Sequence, residues 1–430
     1  LLKYINIKPI EEGFKGIVTI PGSKSISNRA LILGALSEKK VILKNMLFSD
    51  DTLYMIEGLK KLGAAIDISQ DKKILTIEMK PQETLPTCEL FIGNAGTAMR
   101  FLASYIATKK GEITLTGNKR MKERPIKDLV GALENLGVTI KYLEKEGFPP
   151  IKIISKGVSK SFVEIDCSKS SQYLSSLLLS GSYFKHPLEI KIKDTLVSKP
   201  YVSMTLNMVK DFGGNITFDE NKNSFFITPK KFTLDEYTIE GDMSSASYFL
   251  GAALIGNGTI TIKNFFKNSL QGDKDFLNIL IKMGLEVLDE KEKEITVCGK
   301  HSYTAIDVNL NNTPDVAQTL AVIGLFAKGN TIVRDVANMR IKETDRITAL
   351  NNEISKLGGL FLEEKDGFTI IPQDSYHGAT IETYDDHRMA MSLALAGLKI
   401  PGIKILNPEC VSKTFPNFFE ELNNIYNREE

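Results

Sequence analysis

Ile347-Thr348-Ala349-Leu350-Asn351-Asn352-Glu353-Ile354-Ser355-Lys356-Leu357-Gly358 carries the pattern that sets the fold. Its apolar residues Ile347, Leu350, Ile354 and Leu357 are spaced by three and four, which predicts a helix with one packed face. Gly358 then relieves the last turn and a strand begins. The same punctuation recurs at Leu62-Gly63, Leu136-Gly137, Phe212-Gly213 and Met283-Gly284. Successive glycines are 74, 76, 71 and 74 residues apart, which is an internal repeat. A sixth, altered copy fits at the end, where Phe415 to Ile425 reads as a closing helix. The period exceeds that of common solenoids. Six copies in 430 residues predict two domains of three α+β units each, in keeping with a chain too long for one core.

Upstream of this helix lies a charged run, Arg340-Ile341-Lys342-Glu343-Thr344-Asp345-Arg346. Its three cations and two anions exclude a simple electrostatic tail. The run is expected to enter the first turns of the helix, where backbone N–H groups favour an anion. A solvated helix start with local ion pairs is the competing reading. Tyr384-Asp385-Asp386-His387-Arg388-Met389 again sets acids beside a base before an apolar run.

Composition narrows the class. A hydrophobic content of 42% and a charged content of 25% describe an ordinary soluble protein. The 54 basic and 53 acidic residues balance to +1, so nothing in the charge demands nucleic acid. Cys88, Cys167, Cys298 and Cys410 are scattered without a C-x-x-C pair, which argues against structural zinc and fits reduced thiols in a cytoplasm. No signal peptide or membrane span is expected.

Other stretches pair small or hydroxyl residues with cations at helix entrances. Pro21-Gly22-Ser23-Lys24-Ser25-Ile26-Ser27-Asn28-Arg29 ends a strand and opens an apolar helix. It could hold a phosphate, although it is not the nucleotide-binding GxxxxGK[ST] loop. Gly93-Asn94-Ala95-Gly96-Thr97-Ala98-Met99-Arg100 is a small-residue turn into a helix that admits a ligand close to the backbone. The loop Gly117 to Pro125 carries Lys119, Arg120, Lys122 and Arg124, and reads either as a phosphate site or as a wet basic loop. Ser170-Ser171-Gln172 and Ser198-Lys199-Pro200-Tyr201 stand at further entrances. Asp315 either caps the helix that follows it or serves chemistry.

Taken together, in this order and over nearly the whole chain, these blocks resemble the EPSP synthase family of enolpyruvyl transferases. The most specific are Pro21 to Arg29, Gly93 to Arg100, Arg120 to Pro125, Lys342 to Arg346 and Asp386 to Met389. The resemblance implies an α/β fold of two domains, each of three βαβαββ units with pseudo-threefold symmetry. The first strand would belong with the C-terminal domain. The expected domains are residues 1–21 plus 241–430 and residues 22–240, with the active site in the cleft between them.

The activity implied is 3-phosphoshikimate 1-carboxyvinyl transfer. The enolpyruvyl group of phosphoenolpyruvate passes to the 5-hydroxyl of shikimate 3-phosphate through a tetrahedral intermediate. By resemblance, Ser25, Arg29, Ser170, Ser171, Ser198, Tyr201, Asn338 and Lys342 hold shikimate 3-phosphate, and Gln172 lies near both substrates. Gly96, Arg124, Arg346, Arg388 and Lys413 receive phosphoenolpyruvate, with Lys24 touching it from the hinge. Asp315 would accept the 5-hydroxyl proton. Glu343 and Lys24 would handle protons at the enol carbon and the leaving phosphate. No cofactor and no metal are implied. A cytoplasmic monomer inhibited by glyphosate, with no nucleic-acid or membrane partner, is expected.

Three positions depart from common family members. Met339 stands where tryptophan is frequent, Phe101 where proline is common, and Asp385 where asparagine usually precedes Asp386. The first is expected to change packing, and the second to reposition the Gly96 turn. Two related classes fit less well. UDP-N-acetylglucosamine enolpyruvyl transferases commonly carry a reactive cysteine on the mobile basic loop, and Gly111 to Pro125 contains none. RNA 3′-phosphate cyclases need a nucleotidyl-accepting histidine, a role that the contexts of His186, His301, His377 and His387 do not suggest.

Overall fold

The five repeat glycines all adopt positive φ: Gly63 at 105°, Gly137 at 97°, Gly213 at 98°, Gly284 at 130° and Gly358 at 82°. Side chains rarely adopt this region, so glycine ends each helix where the next strand must turn back. The computed structural model describes residues 3–425. Its packing divides the chain into a continuous unit, Gly22–Ile239, and a discontinuous one, Leu1–Pro21 with Glu240–Glu430.

The continuous unit contains helices α1 (Lys24–Leu36), α2 (Asp50–Lys61), α3 (Gly96–Ala107), α4 (Lys127–Asn135), α5 (Gln172–Gly181) and α6 (Lys199–Asp211). Two kinds of helix alternate. Helices α1, α3 and α5 carry apolar, small and hydroxyl residues around most of their circumference and are buried almost throughout. Helices α2, α4 and α6 bury one face and end at the repeat glycines.

Each repeat adds a four-stranded sheet built as one parallel pair followed by two antiparallel strands. In the third, Phe162–Ile165 runs parallel to Leu188–Ile192, which pairs with Ser224–Thr228 and then Asn215–Asp219. The second orders Cys88–Phe91, Lys110–Thr116, Ile151–Lys156 and Thr139–Tyr142 in the same way. The first borrows its outer strand, Glu236–Thr238, from the end of the unit.

The discontinuous unit repeats the plan with α7 (Met243–Gly256), α8 (Phe276–Met283), α9 (Ala317–Gly324), α10 (Arg346–Lys356), α11 (His387–Ala394) and α12 (Phe418–Asn424). Here α7, α9 and α11 are the buried helices. The early strand Lys15–Thr19 pairs in parallel with Thr259–Lys263. Tyr4–Asn6 completes the shortened sixth repeat by pairing with Lys404–Leu406. Equivalent hydroxyls meet between the buried helices. Ser247 is 3.1 Å from Thr319 and Thr319 is 3.4 Å from Ser392, with Ser104 to Ser176 at 2.8 Å in the continuous unit. These partners are 72, 73 and 72 residues apart, one repeat in each case.

Both crossings of the chain end on an asparagine in the left-handed region. Asn45 donates to the Ile239 carbonyl at 2.8 Å, and its own carbonyl lies 2.1 Å from where a Cβ on Gly22 would stand. Asn264 donates to the Ile20 carbonyl at 2.9 Å, and its carbonyl lies 1.9 Å from the Cβ position of Gly241. Glu240 belongs to the discontinuous unit, one residue earlier than the expected boundary. Its carboxylate accepts from Ser269 Oγ at 2.5 Å and from the Leu270 N–H at 3.0 Å.

Two glycines with different roles test this account of the repeat. Gly131 lies inside α4 with nothing within 4 Å of an added Cβ, whereas at Gly137 that atom would lie 2.2 Å from Ser159 Oγ. Gly131→Ala is expected to stabilise by roughly 0.5–1 kcal/mol. Gly137→Ala is expected to destabilise by about 1–2 kcal/mol from the left-handed backbone alone. Urea unfolding of the two variants should show shifts of opposite sign; shifts of the same sign would refute the reading.

Candidate active site

In the continuous unit the cations gather where the buried helices begin. Ser23 caps α1 by accepting from the Ile26 N–H at 3.4 Å, which places Lys24, Ser25 and Arg29 on its first two turns. Lys24 Nζ lies 3.5 Å from Asp51. Arg29 is 2% exposed and donates to Thr205 Oγ1 at 2.8 Å, the Ser25 carbonyl at 2.9 Å and the Tyr201 carbonyl at 3.2 Å. Ser175 Oγ lies at 3.5 Å. All four acceptors are neutral, and burial lowers the guanidinium to about 10. A buried cation with only neutral partners favours an incoming anion.

Gly96, the first residue of α3, brings two more guanidiniums together. A Cβ there would lie 2.5 Å from Arg100 Nη1 and 2.5 Å from Arg124 Nη2. Arg124 donates to the carbonyl and side-chain oxygens of Asn94 at 2.9 and 3.1 Å. Arg100 donates to the Gly96 carbonyl at 2.9 Å, to Gln172 Oε1 at 3.2 Å and to the Pro125 carbonyl at 3.1 Å. Gln172 Nε2 reaches Thr97 Oγ1 at 3.2 Å, so the starts of α3 and α5 are tied. Ser170 Oγ accepts from the Gln172 N–H at 3.2 Å, and Ser171 is buried beside it. Ser198, buried and left-handed with φ 51°, precedes α6, which carries Tyr201.

The discontinuous unit gathers acids and bases. Arg346, 1% exposed, donates from Nε to Asp386 at 2.7 Å, from Nη2 to Glu343 at 3.0 Å and from Nη1 to Asp315 at 3.2 Å. Burial opposes its charge, but Asp386, Glu343 and Asp315 outweigh that and raise its pKa. Arg388 donates to Asp315 Oδ2 at 2.8 Å and to Tyr248 Oη at 3.3 Å. Lys342 Nζ lies 4.0 Å from Asp315 and Lys413 Nζ 3.7 Å from Glu343. Asn338 lies in the 3-10 turn Ala337–Ile341 just before Lys342. Among the described residues no group of three or more His, Cys, Asp or Glu could hold a metal ion.

Several ambiguities of the sequence are resolved here. The charged run does not form the first turns of α10. It spans the 3-10 turn and a cap, and Asp345 accepts from the Thr348 N–H at 3.2 Å, so an internal carboxylate occupies that helix end. Arg340 makes the local ion pairs, with Asp345 at 3.0 Å and Glu363 at 2.8 Å. In the basic loop, Arg120 pairs with Glu123 and Lys122 with Glu144 at the surface, whereas Arg124 is buried. Asp315 does not cap α9; its carboxylate turns to Arg346 and Arg388. Arg100 and Asp386 join the candidate site from within the blocks Gly93 to Arg100 and Asp386 to Met389, without a ligand role implied by the resemblance. Arg100 is signalled by its place four residues after Gly96, and Asp386 by its position as N-cap of α11.

The sequence pattern of the family described as EPSP synthase (3-phosphoshikimate 1-carboxyvinyltransferase) matches residues 9–422. The chain belongs to the EPSP synthase family. It is 44% identical over 421 residues to the 3-phosphoshikimate 1-carboxyvinyltransferase of Buchnera aphidicola subsp. Acyrthosiphon pisum (strain 5A), covering 97% of each chain. It is likewise 44% identical over 425 residues to that of Sulfurovum sp. (strain NBC37-1), covering 98% of this chain and 99% of the other. A solved structure of EPSP synthase from Acinetobacter baumannii superposes with a TM-score of 0.80 at 25% identity, over 98% of both chains. The chain is therefore an enzyme, a transferase of the shikimate pathway, with the two-domain α/β repeat fold of EPSP synthase.

Its departures from the common EPSP synthase pattern have local explanations. Met339 is fully buried and joins the core of the discontinuous unit. Phe101 is fully buried, with the Arg29 guanidinium 5.1 Å from its ring centroid, so it supports a cation as well as packing. Asp385 is left-handed at φ 53° and accepts from Asn407 Nδ2 at 3.4 Å.

Behind Asp315 lies a carboxyl that nothing in the sequence signals. Asp273 is buried and accepts from Ser244 Oγ; burial, then the Asp315 charge, pushes it up to about 7. The folded state therefore holds this proton more tightly than the unfolded chain, whose carboxyl titrates near ~4. Between those values stability contributed by this group falls as pH rises, and above about 7 the whole penalty is present. Asp273→Asn should gain stability relative to the unmodified protein as pH rises through that window, read from urea midpoints. A difference that stays constant with pH would exclude the shift.

Proposed function

We propose that the chain transfers the enolpyruvyl group of phosphoenolpyruvate to the 5-hydroxyl of shikimate 3-phosphate. The observation that carries this reading is the family match across residues 9–422, combined with buried acids and bases grouped on Arg346. The hydroxyl oxygen adds to C2 of phosphoenolpyruvate while C3 gains a proton, giving a tetrahedral adduct. The C–O bond to phosphate then breaks, C3 loses a proton, and the enol ether and inorganic phosphate leave.

Asp315 is the acceptor for the hydroxyl proton, and the guanidiniums of Arg346 and Arg388 orient its two oxygens. Glu343, 3.7 Å from Lys413 Nζ, and Lys24 serve the methylene carbon and the leaving phosphate. Shikimate 3-phosphate takes Ser25, Arg29, Ser170, Ser171, Ser198 and Tyr201 of the continuous unit with Asn338 and Lys342 of the other. Gln172 lies near both substrates. Phosphoenolpyruvate takes the backbone at Gly96 with Arg124, Arg346, Arg388 and Lys413. The neutral partners of Arg29 support anion binding, since no internal carboxylate must be displaced from those bonds. In this reading the protein acts as a cytoplasmic monomer, and glyphosate competes for the phosphoenolpyruvate site.

Phosphate release should require both substrates and no added metal. Equal release with UDP-N-acetylglucosamine in place of shikimate 3-phosphate would overturn the substrate assignment. Asp315→Asn and Glu343→Gln should each keep the fold and lose roughly 10²–10⁴-fold in turnover. Arg124→Ala should weaken phosphoenolpyruvate binding by roughly 1.5–3 kcal/mol and shikimate 3-phosphate binding less, measured by separate titrations. If neither affinity moves, Arg124 is not a ligand.

A further inference from the structure

Arg388 and Asp386 are delivered by a turn that the backbone does not favour. Tyr384 and Asp385, two consecutive residues with side chains, are both left-handed, at φ 54° and 53°. Such pairs persist only where the surroundings hold them. Asp386 follows at once, accepting from the Arg388 N–H at 2.9 Å and from Arg346 Nε at 2.7 Å.

Glu353 supplies the hold. It lies on α10, is fully buried, and faces the turn. Its Oε1 accepts from Tyr384 Oη at 2.7 Å, and its Oε2 accepts from the Glu382 N–H at 3.0 Å. Lys356 Nζ reaches both oxygens, at 2.9 and 2.7 Å, so the buried charge is paired. Burial, then the bond to Glu353, pushes the Tyr384 hydroxyl up to about 12, which keeps its proton in place to donate. Arg346 and Glu353 are seven residues apart on one helix, about two turns or ~10 Å. One face of α10 therefore grips the segment 382–386 at two points, through Arg346 to Asp386 and through Glu353 to Glu382 and Tyr384.

We propose that Glu353 is a positioning residue for the transfer reaction, clamping the left-handed turn at Tyr384-Asp385 so that Arg388 is held on the phosphoenolpyruvate side of Asp315. The inference rests on the assignment of Arg388 in the proposed function. A carboxylate suits the task because both of its oxygens accept, whereas an amide offers one acceptor for two donors.

The test is steady-state kinetics with each substrate varied in turn, on Glu353→Ala, Glu353→Gln and Tyr384→Phe. Thermal unfolding measures the folded fraction of each. Glu353→Ala should raise the KM for phosphoenolpyruvate by about tenfold or more. The KM for shikimate 3-phosphate should change far less. Glu353→Gln, with one acceptor restored, should recover part of the loss, and Tyr384→Phe should move the same KM in the same direction by less. Tyr384→Phe removes a single donor, so it keeps the test open if Glu353→Ala does not fold. If the variants lose only kcat, in proportion to the folded fraction, Glu353 is structural and the inference falls. Unchanged kinetics in Glu353→Gln and Tyr384→Phe would also overturn it. An unmodified protein without activity on the two substrates would instead refute the proposed function.

Discussion

Three carboxylates, Asp315, Glu343 and Asp386, meet one buried guanidinium, and the discontinuous unit is arranged to permit this. Buried like charges repel and each loses its hydration, so the cluster survives only with a cation at its centre. Arg346 has the geometry for it, because a planar guanidinium donates in several directions at once, which an ammonium on a flexible stem does not. Each of its three partners arrives from a different element: the 3-10 turn before α9, the segment before α10, and the N-cap of α11. One residue thus fixes the relative placement of two of the three buried helices and the start of an outer one.

The two units place their cations in different company. Arg29 is satisfied by carbonyl and hydroxyl oxygens, whereas Arg346 and Arg388 pair with carboxylates. The first arrangement leaves net positive charge for an anion, while the second keeps acids and bases in fixed orientation. The repeat underlies both, since it places the N-terminal ends of successive buried helices side by side. Arg100 and Gln172 illustrate this: 72 residues apart, they meet because each stands in the first turns of its own repeat's buried helix.

The fold was largely legible. Helical spacing and a glycine at each helix end are local signals, and all five glycines have the conformation that the pattern requires. The candidate site residues fall in short polar stretches at helix entrances, and that local pattern is what made them candidates. The role of each cation was not legible. Arg340 and Arg346 share one run, as Arg120 and Arg124 share one loop, yet one of each pair is at or near the surface and the other buried. That difference comes from elements far away in the chain. Asp273 and Glu353 were invisible for the same reason: an acid on a helix or turn reads as solvated until its surroundings are known.

The chain order of the units has a consequence for synthesis. The segment ending at Ile20 leaves the ribosome well before its anchor Asn264, which follows 244 residues later. At ~5–20 residues per second that interval is on the order of tens of seconds. Tyr4–Asn6 waits longer, for Lys404–Leu406. The continuous unit has all of its strands before then, and Asn45 draws its two ends together. It can therefore complete as an insert while Lys15–Thr19 remains an unpaired strand, open to mispairing. This early segment thus finds its partners late, and an edge kept open that long is the place where the nascent chain is exposed to wrong pairing.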